Sequence, residues 1–160
     1  MPIGTLFTRR WKAADLLVVD TNVLVYAADA DSPFHQPCRS WIEKQRALPD
    51  AWYVTWSILY EFLRVTTHPR VMRRPFRAAD SWRFVTTLLA SPGLGVLVAT
   101  QRHADVAGLV LSELPYLGGN LMHDAHTAIL MREHGVRRIC TRDTDFARFP
   151  FLEMVDPLAQ

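Results

Sequence analysis

The sequence predicts an α/β fold built on a mostly parallel sheet, and three observations carry that prediction. Short apolar runs of strand length alternate with segments of helical spacing along the chain. The first run, Leu16-Leu17-Val18-Val19, is unbroken by polar residues, as in a strand buried on both faces. It leads straight into Asp20, Thr21 and Asn22, so an acid stands where a central strand gives way to a helix. In open α/β sheets ligands bind at that carboxyl edge. An acid fixed there either caps the next helix or holds a cation or reacting group, and this stretch alone does not separate the two roles.

The remaining elements follow in order. Residues 29–33 form a loop, and residues 35–47 have helical spacing with Trp41, Ile42 and Leu48 on the apolar side. Residues 52–55 make a second strand. Ser57 is placed to cap a helix over 58–67, which the His68-Pro69 step ends. Residues 70–77 are a basic, proline-broken connection, and residues 78–90 an amphipathic helix with Trp82, Val85, Leu88 and Leu89 apolar. A break at 92–95 precedes a third strand at 96–99, and a helix spans 102–114. Asn120 is the expected cap of a helix running to His134, with Gly135 as its stop. A fourth strand covers 138–141, a polar turn or short helix 143–149, and an edge strand 153–155.

Composition narrows the class. The chain has 160 residues, 49% hydrophobic and 21% charged, which suits one folded domain with a real core. Cys38 and Cys140 read as reduced core residues of a cytoplasmic protein. No apolar run approaches the roughly 18–20 residues of a membrane helix. Arg9-Arg10 ahead of an apolar stretch looks superficially like an export signal, but Asp15 and Asp20 interrupt it. Residues 1–14 are read as a basic N-terminal extension. The net charge is only +2, yet 16 of the 18 basic residues are arginine. Arginine forks suit phosphate recognition, and arginine-rich codon usage gives the same bias, so an RNA partner is permitted and not required.

The acids are the strongest functional signal. Asp20 follows the first strand, while Asp143 and Asp145 follow the fourth. Glu61 and Asp124 stand in the early turns of the helices after Ser57 and Asn120. All of these positions belong to one edge of a parallel sheet. Each acid has a plain alternative as a cap or a solvated charge. Together they describe a ring of carboxylates whose repulsion a hard divalent cation would relieve. Oxygen-only ligands favour Mg²⁺ or Mn²⁺, and phosphoryl chemistry is the usual work of such a site.

Four blocks carry a family resemblance: Asp20-Thr21-Asn22-Val23-Leu24, Ser57 with Glu61-Phe62-Leu63-Arg64, Asp124-Ala125-His126, and Thr141-Arg142-Asp143-Thr144-Asp145-Phe146. In this order and at these separations they resemble the PIN domain, and more narrowly the VapC-type toxin ribonucleases of bacterial toxin–antitoxin pairs. Ser32-Pro33-Phe34-His35, Thr67-His68-Pro69-Arg70-Val71 and Gly119-Asn120-Leu121 fit one branch of those toxins.

The resemblance spans about residues 16–158 and implies a single PIN domain over 15–160. That fold would be a three-layer sandwich around a parallel five-stranded sheet of order 3-2-1-4-5, with Asp20 and Asp143 meeting at its switch point. It further implies Asp20, Glu61, Asp124 and Asp143 as catalytic, metal-binding acids, with Asp145 as a possible fifth. Thr21, Asn22, Ser57 and Thr141 would be supporting polar groups. The departures are the N-terminal extension and His123 beside Asp124; neither removes a required acid.

The expected activity is that of a Mg²⁺- or Mn²⁺-dependent endoribonuclease. Metal-activated water would cut RNA to leave 3′-hydroxyl and 5′-phosphate ends. A VapB-like antitoxin and a homodimer are the implied protein partners. Arg64, Arg70, Arg73, Arg74 and Arg142 are candidates for holding the RNA backbone, each equally readable as a solvated arginine. Three alternatives stand beside this reading. His123-Asp124, with His126 and His134, resembles the core of an HD-type phosphohydrolase, but that chemistry sits in a largely helical domain. A receiver-type signalling domain needs a late lysine, and none follows Lys44. A PIN fold kept only for binding would be expected to have lost an acid, and none is lost.

Overall fold

The structure, a computed structural model, describes residues 16–159, so the basic extension at 1–14 lies outside the described residues. β1 (Leu17–Val19) is fully buried and pairs in parallel on both sides, with β2 (Trp52–Thr55) and β4 (Arg138–Cys140). β3 (Leu94–Leu97) extends the sheet beyond β2, and β5 (Glu153–Val155) beyond β4. The sheet is parallel throughout, in the order β3-β2-β1-β4-β5. Its unbroken apolar first strand is therefore the central one, and the chain reverses direction across the sheet at β1.

Six helices flank the sheet among the described residues: α1 (Thr21–Ala28), α2 (His35–Ala47), α3 (Trp56–Thr66), α4 (Ala78–Leu89), α5 (His103–Glu113) and α6 (Leu121–Glu133). α1 packs on α2 and α3, α3 packs on α4, and α5 packs on α6, the two helical groups that right-handed crossovers lay on opposite faces of a parallel sheet. Phe62 of α3 stacks on Phe84 of α4 at 4.7 Å, and Thr66 shares a 2.6 Å hydroxyl bond with Ser81, so these two helices are locked together. Cys38 and Cys140 are buried free thiols, as expected of core residues.

Several local expectations are corrected. Ser57 does not cap α3: the helix starts at Trp56, and Thr55 is the cap, its hydroxyl accepting from the Ile58 amide at 3.1 Å. β2 runs into α3 with no intervening loop, which moves the cap two residues upstream. β3 starts at Leu94, two residues before the expected strand. Gly95, read as part of a break, lies inside it opposite Tyr53 of β2, where an added Cβ would come within 2.9 Å of the Tyr53 ring. Asn120 makes no side-chain cap bond to α6. Leu48 and Trp82, expected on apolar faces, are 36% and 45% exposed; Ser81 is buried on α4 instead.

The end of α6 clamps the β3–α5 connection. Buried Glu133 accepts from the Thr100 amide and hydroxyl and faces His103 Nδ1 at 2.7 Å, while His134 Nε2 meets the Val98 carbonyl. Burial alone would raise the Glu133 pKa, but the bonds from Thr100 and His103 outweigh it and hold the carboxyl at about 2. A lowered folded pKa contributes stability above the ordinary carboxyl value, and that stability is lost as pH falls toward 2. Glu133→Gln is expected to cost about 2 kcal/mol at neutral pH, the worth of hydrogen bonds to a charged group. Urea melts should show the deficit shrinking as the pH is lowered; an equal deficit at all pH values would assign it to packing.

Candidate metal centre

The first acid is held by its own strand end. Asp20 leaves β1 in extended backbone and caps α1, its Oδ1 accepting from the Thr21 amide at 2.8 Å. Oδ2 accepts from Asn22 Nδ2 and from the Thr141 hydroxyl, both at 2.7 Å. Cap and site are thus one side chain, and the two readings of Asp20 do not compete. Thr141 is the joint between the central strands: its hydroxyl donates to Asp20 and accepts from Asn22 Nδ2 at 3.0 Å and from the Asp143 amide at 2.9 Å. Asn22 completes the joint by accepting from the Arg142 amide at 3.1 Å. Burial pushes the Asp20 carboxyl up to about 6 against the pull of the Thr141 and Thr21 bonds, and Asp143 and Glu61 add repulsion.

The other acids arrive from three elements. Asp143 follows β4 and caps a short 3₁₀ helix (Thr144–Arg148), accepting from the Asp145 amide at 2.9 Å. That turn folds Asp145 back toward its neighbour. Asp124 stands in the first turn of α6. Glu61, on the exposed side of α3, takes a 3.4 Å bond from the Thr21 hydroxyl and pairs loosely with Arg64 at 3.4 Å. All five acids line one cleft of about 710 Å³. Within it the ligand oxygens of Asp124, Asp143 and Asp145 lie within 4.8 Å of one another. Asp145, read from sequence only as a possible fifth acid, belongs to the tightest group. Burial, followed by repulsion from Asp143, Asp20, Asp145 and Glu61, raises Asp124 to about 7.

The supporting and basic residues divide. Thr21, Asn22 and Thr141 orient acids directly. Ser57 lines the cleft with its hydroxyl 2.7 Å from His126 Nδ1. The His126 ring meets His103 edge-on at 5.8 Å, and His103 leads on to Glu133. The sequence reading passed over this array, because its members lie far apart in the chain. Of the five arginines, Arg64 alone lines the cleft. Arg74 grips Asp31 with two bonds of 2.8 and 2.9 Å, and Arg142 lies 4.2 Å over the Phe34 ring near Asp156. Arg70 and Arg73 are exposed on the connection before α4.

Comparison with known proteins gives a consistent outcome. The PIN domain profile matches residues 17–152. Ribonuclease VapC37 of Mycobacterium tuberculosis is 33% identical over 142 residues, covering 89% of this chain and 97% of the relative. Ribonuclease VapC43 of the same species is 35% identical over 149 residues, covering 89% and 96%. Among solved structures, VapBC2 from Rickettsia felis bound to a promoter DNA fragment superposes with a TM-score of 0.64 at 15% identity, over 88% of this chain and 97% of that one. VapC20 of Mycobacterium tuberculosis, a sarcin–ricin loop cleaving toxin, gives a TM-score of 0.60 at 19% identity, over 82% and 92%. At those identities the structures speak for the fold alone.

Proposed function

Since this chain belongs to the PIN-domain family, in its VapC ribonuclease branch, we propose that it is a divalent-metal-dependent endoribonuclease, the toxin of a toxin–antitoxin pair. The observation that carries the proposal is the convergence of Asp20, Glu61, Asp124, Asp143 and Asp145 on one cleft at the carboxyl edge of the sheet. The donor set fits a hard cation. It offers carboxylate oxygens only, and burial together with repulsion from the neighbouring acids holds the Asp124 carboxyl up, a repulsion that a divalent cation relieves. Mg²⁺ or Mn²⁺ would be held by Asp124, Asp143 and Asp145, with Asp20 and Glu61 lining the same cleft. When bound, such an ion supplies Lewis acidity toward a phosphate oxygen and makes water a stronger acid.

The chain's own residues supply the rest. Thr141, Asn22 and the Thr21 amide fix Asp20, so its charge faces the cleft without reorganising. The Asp143 cap holds Asp145 against Asp124. Asp124, whose carboxyl burial and its acidic neighbours raise to about 7, would be held ionised by a bound cation. RNA is the substrate, water the nucleophile, and the products carry 3′-hydroxyl and 5′-phosphate ends. A VapB-like antitoxin that covers the cleft and a homodimer complete the reading. No helix among the described residues is long and apolar enough to cross a membrane.

The test is cleavage of RNA by purified protein with Mn²⁺ and with chelator. Cleavage should require the metal, and end analysis should find 5′-phosphates. RNA carrying a 2′-deoxyribose at the cut should still be cleaved. A 2′,3′-cyclic phosphate would contradict the chemistry, and RNA binding without cleavage would reduce the protein to a binding module.

A further inference from the structure

Ser57 is released from helix capping, because Thr55 does that work for α3. Its hydroxyl reaches across the site instead. Ser57 Oγ lies 2.7 Å from His126 Nδ1 on α6, and among the described residues this is the one hydrogen bond joining α3 to α6. Glu61 stands one turn after Ser57 on the same side of α3, and both line the acid cleft. On α6, Asp124 and Thr127 line the cleft, and His126 stands on the flank that meets α3 and α5. One bond therefore joins the helix that carries Glu61 to the helix that carries Asp124.

The tie is braced from behind. The His126 ring meets the His103 ring edge-on at 5.8 Å, and His103 Nδ1 lies 2.7 Å from Glu133. Glu133 is buried and also accepts from the Thr100 amide, so the far end of the array is fixed in the body of the fold. The near end carries a load. Glu61 is among the acids that repel Asp124, and that repulsion pushes α3 and α6 apart. The other bonds on Glu61 are long, 3.4 Å from the Thr21 hydroxyl and 3.4 Å from Arg64. A 2.7 Å bond one turn away is the firmer anchor.

We propose that Ser57 and His126 are positioning residues: their bond ties α6 to α3 across the cleft and sets where Glu61 stands relative to Asp124, and so how well the acids hold a divalent cation. This role rests on the divalent-cation reading of the cleft, and both residues act through the acids. The tie preorganises the site. Carboxylates that repel one another are held together before the cation arrives, so binding does not have to close the cleft.

The experiment titrates the full chain with Mn²⁺ alone, at mildly alkaline pH and without RNA, reading free Mn²⁺ by its paramagnetic resonance. Wild type should bind, and His126→Ala should bind about 10-fold more weakly, the lower end of the loss expected when a group that orients metal ligands is removed. The lower end applies because the bond is solvent-exposed. Ser57→Ala should lose as much, and the double variant no more than either, since both remove one bond. His126→Asn should restore affinity, because its amide puts a polar atom where Nδ1 stood and can donate or accept. Circular dichroism checks that each variant is folded. A His126→Ala or Ser57→Ala protein that binds Mn²⁺ like wild type overturns the tie. Additive losses overturn it too, as does a His126→Asn protein as weak as His126→Ala. Mn²⁺ binding by wild type without RNA cleavage sinks the nuclease reading and leaves the tie standing. A wild type that binds no Mn²⁺ sinks the tie and the cation reading together.

Discussion

Asp20→Asn is expected to abolish RNA cleavage while leaving the fold intact. The substitution keeps the volume of a buried side chain and removes its charge from the floor of the cleft. One oxygen can still accept from the Thr21 amide and so preserve the cap of α1. The other position becomes an amide facing Asn22 Nδ2 and the Thr141 hydroxyl, two groups that now donate to a carboxylate. The Thr141 hydroxyl already accepts from Asn22 Nδ2 and from the Asp143 amide and has no lone pair left for it, and Asn22 Nδ2 only donates. The joint between β1 and β4 is therefore loosened as well as neutralised. Relief of repulsion from Asp143 and Glu61 offsets part of that cost, so the melting temperature should change little. Partners that only support a metal ligand typically cost about 10- to 100-fold when removed, and an acid in the ring itself should exceed that. The measurement is the single-turnover rate on RNA with saturating Mn²⁺, alongside circular dichroism. A folded Asp20→Asn protein with full activity would remove Asp20 from the site.

The parts of this molecule written in local patterns were legible before its structure. An unbroken apolar strand ending in an acid marks the centre of the sheet, because only a central strand is buried on both faces. Asp124 and Asp143 declare themselves by standing where helix and strand termini meet one edge. What sequence hid was set by contacts between distant segments. Gly95 punctuates a strand in propensity terms, yet the Tyr53 ring beside it leaves no room for a Cβ unless the ring shifts. The α3 cap moved to Thr55 because β2 and α3 join without a loop, which spacing alone does not reveal.

The same limit applied within the site. Asp145 joins Asp124 because the Asp143 cap bends the chain, a matter of backbone geometry in a polar turn. Charge could be counted from the sequence, but its partners could not. Arg74 and Arg142 looked equivalent to Arg64 until Asp31 and Phe34 were seen to hold them. The Ser57–His126–His103–Glu133 array spans three helices and left no signature in any one of them.

Removing metal should expose the strain that the acid cluster carries. The Asp124 carboxyl is raised to about 7 by burial and by four acidic neighbours. A folded pKa above the unfolded one means that the unfolded state binds fewer protons between the two values. This contribution is intact below the ordinary carboxyl pKa and is lost as pH rises through about 7. Asp124→Asn removes the penalty. In chelator above neutral pH it should stabilise the protein by ~1 kcal/mol, a figure discounted because solvent screens a partly exposed group. The favourable position of Asp124 in the first turn of α6 opposes this by about 0.3–1 kcal/mol, so the net apo shift should be small and upward. Metal reverses the ranking. At one hundred times its dissociation constant a cation stabilises wild type by about 2.7 kcal/mol, and a variant missing a ligand forfeits most of that. The measurement is thermal melting of wild type and Asp124→Asn, each in chelator and in Mn²⁺, at mildly alkaline and at mildly acidic pH. Acidification should erase the apo advantage of the variant, since the wild-type carboxyl is then protonated and the repulsion gone. If both proteins gain equally from Mn²⁺, Asp124 is not a ligand, whatever the apo melts show.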